Sequence, residues 1–197
     1  MRICFFGDSF VNGTGDDSAF GWVGRVVAHA RGVGCDVTGY NLGIRRDTSD
    51  DIAARWEAEA HPRLQAGVEH RLLFAFGAND GIAVGDSTRV PFERSVANST
   101  AILQRAVAFA PTIVMGPIPV FNADTDRRGE TLARAQGDIC RQLAIPFLPV
   151  HGFIAKCEPW KAEAQAGDGA HPNARGYAAL ADFVLQWPAL RAWLRLP

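Results

Sequence analysis

Short apolar runs alternate along the chain with longer segments that carry apolar residues at helical spacing. The short runs cover residues 3–6, 35–41, 72–76, 112–115 and 146–150, and the first four are each followed within two residues by a glycine. Apolar runs of this length that end at glycine or proline are typical of buried strands. The pattern therefore predicts five strands.

The longer segments between these runs predict amphipathic helices, because their apolar residues recur at three- and four-residue intervals. Thr48 or Ser49 is a candidate N-cap, Pro91 suits the first turn of a long helix, and Pro188 stops the last one or begins a short final turn. The predicted helices cover 21–31, about 48–60, a long segment from 91, about 128–143 and about 173–187.

Strand and helix alternate five times, which predicts an α/β fold with a parallel sheet and helices on both faces. No repeat, linker or low-complexity segment interrupts the chain, so we expect residues 1–197 to form one domain. Ligands of such sheets bind beyond the carboxyl ends of the strands. Residues that can take part in chemistry, through a side chain or an accessible backbone N–H, gather where this rule requires them, directly after predicted strands. They include Asp8, Ser9, Asn41, Gly43, Asn79, Asp80 and His151.

Ser9 is a candidate nucleophile. It lies in the turn Gly7-Asp8-Ser9-Phe10 after the first strand, where backbone N–H groups at a helix start can also bind an oxyanion. A serine hydroxyl attacks only when a base removes its proton. The alternative is that Ser9 merely caps a helix, and its position alone leaves both interpretations open.

Among five histidines, His171 is the best candidate for that base. Asp168 precedes it by three residues in a glycine-rich segment, a spacing that lets the carboxylate accept the Nδ1 proton and orient the ring. His151 also follows a strand but has no acidic residue within several positions. The remaining histidines, His29, His61 and His70, lie where a structural or solvated role is expected.

An acyl-transfer site also needs hydrogen-bond donors for the developing oxyanion. Asn79 offers a side-chain amide after the third strand, and Gly43 offers a backbone N–H that no side chain obstructs. Each also fits a plain turn position, and the residues alone do not decide between these roles.

These segments together resemble the sequence blocks of the SGNH hydrolases, also called the GDSL family of lipases and esterases. The resemblance spans the chain. It rests on Gly7-Asp8-Ser9-Phe10, in which phenylalanine replaces the usual leucine, and on Asn41-Leu42-Gly43, Gly77-Ala78-Asn79-Asp80 and Asp168 to His171 followed by Pro172. Residues 6–15 and 40–48 are further similar to a subgroup of small bacterial G-D-S-L lipases.

The resemblance implies a flavodoxin-like three-layer α/β/α sandwich with a five-stranded parallel sheet. It also implies a serine hydrolase that cleaves carboxylic esters through an acyl-enzyme on Ser9, with His171 as base and Asp168 as its partner. The oxyanion hole would consist of the Ser9 N–H, the Gly43 N–H and the Asn79 amide. We expect neither a cofactor nor a metal.

Other classes of protein explain less of the sequence. An α/β-hydrolase would carry glycine where Val11 stands, and a phosphate-binding G-x-x-x-x-G-K-[ST] loop is absent. A flavodoxin-like flavin or phosphate binder would explain the first loop but neither Asn79 nor the Asp168–His171 pair. A metal-dependent hydrolase would have to use Asp8, Asp16, Asp17 and His171, which lie partly in a flexible loop.

The sequence defines the substrate only as a small ester. No insertion suggests a lid, so short acyl chains are expected, with an acyl-CoA thioester or an acetylated carbohydrate as alternatives. Arg45 and Arg46 are expected to contact an anionic substrate group, unless they pair with Asp47, Asp50 or Asp51. Candidate apolar contacts after the strands are Phe10, Ile44, Ile82, Ile118 and Val120.

Composition and charge indicate which classes of partner and which cellular location to expect. The net charge is -1 without a basic cluster, which gives no indication of nucleic-acid binding. No apolar run approaches the roughly 20 residues that span a bilayer. The first apolar run is too short for a signal peptide, and a cytoplasmic location is expected. The four cysteines lack metal or disulfide spacing, and the oligomeric state stays open.

Overall fold

Five parallel strands form the central sheet of the computed structural model, which describes all 197 residues. Two further strands, β4 and β5, form a separate antiparallel hairpin. In chain order the strands are β1 (Arg2–Gly7), β2 (Thr38–Gly43), β3 (His70–Ala75), β4 (Ala83–Val84), β5 (Ser87–Thr88), β6 (Thr112–Met115) and β7 (Phe147–Leu148).

Nine helices connect and cover these strands. Asp8, Thr48, Asn122 and Asn173 cap four of them with side-chain oxygens that accept a backbone N–H. The helices are α1 (Ser9–Asn12), α2 (Gly21–Gly32), α3 (Ser49–Arg63), α4 (Phe92–Phe109), α5 (Ala123–Gln142), α6 (His151–Ile154), α7 (Glu158–Ala166), α8 (Ala174–Leu185) and α9 (Pro188–Leu194).

The sheet order is β2–β1–β3–β6–β7, which is the flavodoxin-like order when the five sheet strands are counted alone. The predicted fold class, a three-layer α/β/α arrangement around a five-stranded parallel sheet, is confirmed. Gly7 pairs with Gly43 on one side and with Ala75 on the other. The segments that follow β1, β2 and β3 therefore leave the sheet side by side.

Successive side chains of β1 point to opposite faces of the sheet and pack into two separate hydrophobic cores. Ile3 and Phe5 join the core that contains Trp22 of α2 and Leu180 of α8. Cys4 and Phe6 join the core beneath α3, α4 and α5. The four-residue run 3–6 in β1 is apolar throughout because both of its faces are covered.

Several boundaries differ from those that the periodicity predicts. β2 begins at Thr38 rather than residue 35, and β7 is confined to Phe147–Leu148. α5 begins at Ala123 rather than near residue 128, because the Asn122 side chain caps a polar first turn that carries no apolar signal. The hairpin β4–β5 and the helices α6 and α7 have no counterpart in the sequence prediction.

Two further predictions concern the whole chain. No helix combines the length and the apolar character that crossing a membrane requires. All four cysteines are free thiols, of which Cys4, Cys140 and Cys157 are buried, as the absence of paired spacing predicts.

Candidate active site

Ser9 lies at the point where β1 turns sharply into the single-turn helix α1. Asp8 is the N-cap of this helix, and its Oδ1 accepts the Phe10 N–H at 3.0 Å. Gly13 ends the helix with a left-handed backbone, φ 88°. Ser9 is therefore the first helical residue, with its N–H at the helix start, where no intrahelical acceptor exists.

A continuous chain of hydrogen bonds joins Ser9, His171 and Asp168. Ser9 Oγ lies 2.7 Å from His171 Nε2, and His171 Nδ1 lies 2.7 Å from Asp168 Oδ2. The other carboxylate oxygen of Asp168 accepts the backbone N–H groups of Ala170 and His171 at 3.1 and 2.9 Å. The structure thus brings together the three residues that the sequence proposes as nucleophile, base and orienting partner of the base.

The carboxylate of Asp168 is held in its ionised form. Partial burial raises its pKa, but the hydrogen bonds from the backbone and ring of His171 and from the Ala170 N–H outweigh burial and lower the pKa to about 2. Asp168 is therefore an acceptor at every pH at which the imidazole is neutral. It favours the tautomer that carries its proton on Nδ1, so that the unprotonated Nε2 faces Ser9.

Glu163 of α7, which the sequence reasoning did not single out, supports the segment that carries His171. Its Oε2 accepts the N–H groups of Asn173 and Gly176 at 2.9 and 2.8 Å, and its Oε1 accepts the Arg175 N–H at 3.2 Å. A side chain of α7 therefore caps the start of α8 directly after His171. Pro159 in the first turn of α7, with Trp160 and Ala164 one turn apart, is the sequence signal for this helix.

The loop after α1 is fastened to the same segment. Asn173 exchanges two hydrogen bonds with Asp17, and the Tyr177 hydroxyl donates to the Thr14 carbonyl at 2.8 Å. Gly15 adopts φ +92°, and a Cβ there would lie 2.6 Å from the Pro172 carbonyl oxygen. Ser9 and His171 are thus positioned by contacts between two loops that are far apart in sequence.

Phe10 does not line an open pocket, which corrects the sequence prediction. It is 3% exposed, and its ring centroid lies 4.9 Å from that of His171 and 5.9 Å from that of Trp160. Phe10 therefore packs against the imidazole ring of His171. Ile118 is also buried, at 5% exposure, and is likewise a core residue rather than an exposed substrate contact.

Gly43 does not present a free N–H, which is a second correction. Its N–H donates to Asn41 Oδ1 at 3.1 Å. A Cβ at Gly43 would lie 2.1 Å from the Asn12 N, so glycine is required here because α1 packs directly on β2. In the turn that follows, the N–H groups of Arg45 and Arg46 have no acceptor within the protein, and Arg46 adopts the left-handed conformation, φ 75°.

Asn79 lies at the edge of the site and is 8% exposed. Its Nδ2 donates one hydrogen to the Asp47 carbonyl at 2.9 Å, which fixes the amide between the loops after β2 and β3. An amide nitrogen carries two hydrogens, so the second hydrogen of Asn79 is available to a ligand.

A polar cleft of about 420 Å³ opens beside the imidazole. Arg45 borders it, with Nη2 3.6 Å from Asp168 Oδ2. The alternative pairing of Arg45 or Arg46 with Asp47, Asp50 or Asp51 is wrong, because Asp47 binds Arg55 and Asp50 binds Arg94, while Asp51 accepts from Thr48. The cleft is lined by Thr14, Gly15, Arg45, Glu163, Ala166, Gly167, Asp168, His171, Pro172 and Asn173.

The remaining candidates lie outside this cleft. Ile44 is exposed, whereas Ile82 and Val120 are half-buried on other loops. His151 pairs through Nδ1 with Glu130 Oε1 at 2.9 Å and makes no contact with Ser9. Asp16 is bound to Arg25 and Asp17 to Asn173, so both carboxylates are used in structural contacts.

Comparison with known proteins shows the family to which the chain belongs. A family model described as the GDSL-like lipase/acylhydrolase family matches residues 5–179. The chain belongs to this family, and the predicted carboxylic ester hydrolase of the GDSL type is confirmed at that level. None of the curated protein sequences compared with the chain matches it.

Solved structures share the fold at low sequence identity. An acetylxylan esterase from Geobacillus stearothermophilus is 20% identical with a TM-score of 0.77, over 94% of this chain and 92% of that one. The psychrotrophic esterase EstA from Pseudoalteromonas sp. is 20% identical with a TM-score of 0.77, over 98% of both chains. A lipase/acylhydrolase from Enterococcus faecalis is 21% identical with a TM-score of 0.74, over 94% and 93%.

Proposed function

We propose that the protein hydrolyses small carboxylic esters through an acyl-enzyme on Ser9. The observation that carries this proposal is the unbroken hydrogen-bonded chain Ser9–His171–Asp168, with both side-chain contacts at 2.7 Å. His171 Nε2 takes the Ser9 proton as Oγ bonds to the ester carbonyl carbon, and then returns that proton to the departing alcohol. A water molecule, deprotonated by the same nitrogen, attacks the acyl-enzyme and releases the acid and Ser9.

The oxyanion of each tetrahedral intermediate would be held by the Ser9 N–H and the free Asn79 amide hydrogen. Gly43 was the third expected donor, but its N–H is engaged by Asn41. The unpaired N–H groups of Arg45 and Arg46 are available in its place. Donors fixed in advance by the fold stabilise charge without reorganisation during the reaction.

The cleft beside His171 favours a polar alcohol and a short acyl chain. Its lining carries carboxylate, amide, hydroxyl and guanidinium groups, and its apolar side chains are limited to the small ones of alanine and proline. A carbohydrate acetyl ester is therefore the second candidate, and the fold is shared with an acetylxylan esterase. Solved structures of that enzyme include catalytic mutants in which a serine, an aspartate and a histidine, in that chain order, are each replaced by alanine.

Covalent labelling tests the proposal directly. A fluorophosphonate probe should modify the protein stoichiometrically, and peptide mass spectrometry should place the adduct on Ser9. A flavin- or phosphate-binding module of the same fold would remain unlabelled. An adduct confined to another serine, or none at all with active probe, would contradict the proposal.

A substrate panel then resolves the ester class. p-Nitrophenyl esters of increasing chain length, an acyl-CoA and acetylated sugars should be compared by kcat/KM. We expect acetyl and other short esters to be preferred, with acetylated sugars among the better substrates. Highest activity on acyl-CoA or on long-chain esters would contradict the assignment of substrate.

Replacement of Asn79 by alanine should lower kcat by about 10²–10³-fold with KM little changed, because an oxyanion donor acts mainly in the transition state. The bond to the Asp47 carbonyl is lost as well, so Tm should also fall. Asn98→Ala is a matched control, because Asn98 donates to Ser49 and Asp50 outside the site. Full kcat in Asn79→Ala below its melting temperature would remove Asn79 from the oxyanion hole.

Arg45 and Arg46 should influence substrate choice rather than chemistry. The exposed Arg45 guanidinium shares the cleft with His171, and its one ionic contact, with Asp168 at 3.6 Å, leaves other N–H groups to meet an anionic group of the substrate. The double variant Arg45→Ala/Arg46→Ala should lower kcat/KM for an anionic ester several-fold relative to a neutral ester of equal length. An unchanged ratio would leave these residues without a role in specificity.

A further inference from the structure

The aromatic ring of Phe10 lies against one face of the His171 imidazole. The two ring centroids are 4.9 Å apart, and the ring planes differ by 36°. At this separation and tilt the rings overlap face toward face, because coplanar rings that meet edge to edge keep their centroids further apart. Phe10 is buried, so solvent does not separate the two rings. The imidazole therefore has the π-electrons of Phe10 against its face and the carboxylate of Asp168 at its edge.

Two further aromatic side chains hold the Phe10 ring in this position. The fully buried Trp160 of α7 packs on Phe10, with ring centroids 5.9 Å apart. Tyr177 of α8 packs on Trp160 at 5.3 Å, and its hydroxyl donates to the Thr14 carbonyl. At the other end of this stack, the Phe10 N–H donates to Asp8. The Phe10 ring is therefore fixed against the imidazole by contacts with two helices and by the cap of α1.

The charged side chains on the elements around the imidazole have partners of their own. Asp168 accepts from Nδ1, and Arg45 lies 3.6 Å from the same carboxylate, where its positive charge weakens the attraction of Asp168 for a protonated ring. The other carboxylates nearby are bound within the protein: Asp8 to the Phe10 N–H, Asp16 to Arg25, Asp17 to Asn173 and Glu163 to the backbone of α8. A change confined to the electron density of the Phe10 ring leaves each of these contacts in place.

We propose that the Phe10 ring stabilises, by a cation–π interaction, the positive charge that His171 acquires when it takes the Ser9 proton. A cation within about 6 Å of an aromatic centroid is attracted by the negative charge on the ring face, and more strongly where water is excluded. The neutral imidazole of the resting enzyme gains little from this contact, whereas the imidazolium of the transition state is stabilised, so the effect falls on kcat rather than on KM. Phe10 is a positioning residue, because it acts through His171, and its role rests on the proposed esterase function.

Phenylalanine analogues with one, two or three ring fluorines, incorporated at residue 10 alone, test the proposal. Fluorine withdraws electron density from the ring face and changes the size of the ring little, so the attraction for a cation weakens step by step while packing is retained. We expect kcat on a short p-nitrophenyl ester to fall at each step, by about 2- to 30-fold over the series, with KM and Tm little changed.

Phe153 provides the matched control, because its ring stacks on Phe183 with centroids 4.1 Å apart and has no contact with His171. The same analogues at residue 153 should leave kcat unchanged. A kcat that does not depend on the fluorine content at residue 10 would overturn the proposal.

The pH profile of Phe10→Leu gives a second test, because leucine keeps an apolar side chain at this position without π-electrons. The aromatic face favours the protonated imidazole, so its loss should move the acidic limb of the kcat/KM profile to lower pH, by about 0.4–1.5 pH units, while kcat at the plateau falls. A purely structural role of Phe10 predicts a lower kcat and a lower Tm with the limb in place. An acidic limb that stays in place or moves to higher pH in Phe10→Leu would contradict the cation–π interaction.

Nitrogen-15 NMR of the His171 ring separates the ring interaction from the esterase assignment. The pH at which this ring is half protonated should fall with each fluorine added to Phe10, whether or not the protein hydrolyses esters. If this shift is observed but fluorophosphonate does not label Ser9, the interaction holds and the esterase function fails. If Ser9 is labelled but the half-protonation pH does not respond to fluorine, the interaction is refuted and the esterase function stands.

Discussion

Replacement of Ser9 by alanine should reduce kcat for ester hydrolysis by about 10³-fold or more while the fold is retained. In the proposed mechanism the hydroxyl bonds to the acyl carbon, and its single side-chain partner is His171 Nε2 at 2.7 Å. Alanine preserves the first turn of α1, because the cap is provided by Asp8 rather than by Ser9. The measurement is kcat on a short p-nitrophenyl ester, with circular dichroism and Tm recorded alongside.

Ser18→Ala provides a matched control for this variant. Ser18 lies on the following loop, where its hydroxyl donates to Asp16 Oδ1 at 2.7 Å and has no contact with His171. It should retain kcat and the fluorophosphonate adduct, both of which Ser9→Ala should lose. Wild-type turnover by a correctly folded Ser9→Ala protein would refute the nucleophile.

His171→Ala should be nearly as damaging as Ser9→Ala, whereas His151→Ala should retain activity. Residues of a triad act as a unit, so loss of the base costs about as much as loss of the nucleophile. His151 is bound to Glu130 and is remote from the Ser9 hydrogen-bond chain. Comparison of kcat for the two variants decides the base, and an inactive His151→Ala with an active His171→Ala would reverse the assignment.

The role of His171 as base also predicts how the activity changes with pH on the acidic side of the profile. Wild-type activity should rise with pH as the imidazole loses its proton, because only the neutral ring accepts the Ser9 proton. Asp168 stays ionised throughout this range, since its hydrogen bonds lower its pKa to about 2. Its contribution to stability is therefore present above about pH 4 and is lost as pH falls toward 2.

Ligands of parallel sheets bind beyond the carboxyl ends of the strands, and this rule explains why much of the candidate site could be predicted from the sequence. Parallel strands covered on both faces are continuous apolar runs, and glycines mark their ends, so the positions after β1 and β3 are identifiable without coordinates. The Asp168–His171 spacing is local, and its hydrogen bonds form within one turn of chain. These features depend on neighbours in sequence and therefore appear in the pattern.

The incorrect predictions share a different cause. Phe10 and Ile118 were expected to face a substrate. Phe10 is instead covered by Trp160 and the imidazole of His171, and Ile118 is buried in the core. Gly43 was expected to donate its N–H, but the Asn41 side chain folds back to accept it. In each case a competing partner decides the role, and apolar or glycine positions do not reveal which partner is present.

The sequence by itself determined the α/β class, the strands that bear the site and the identity of the candidate nucleophile, its base and the carboxylate that orients the base, because hydrophobic periodicity and turn residues act over short distances. Only the tertiary structure decided that Glu163 caps α8, that Arg45 reaches Asp168 and that Phe10 packs against His171. These facts arise from contacts between segments far apart in the chain, where burial and the exclusion of water determine which hydrogen bonds and charges remain.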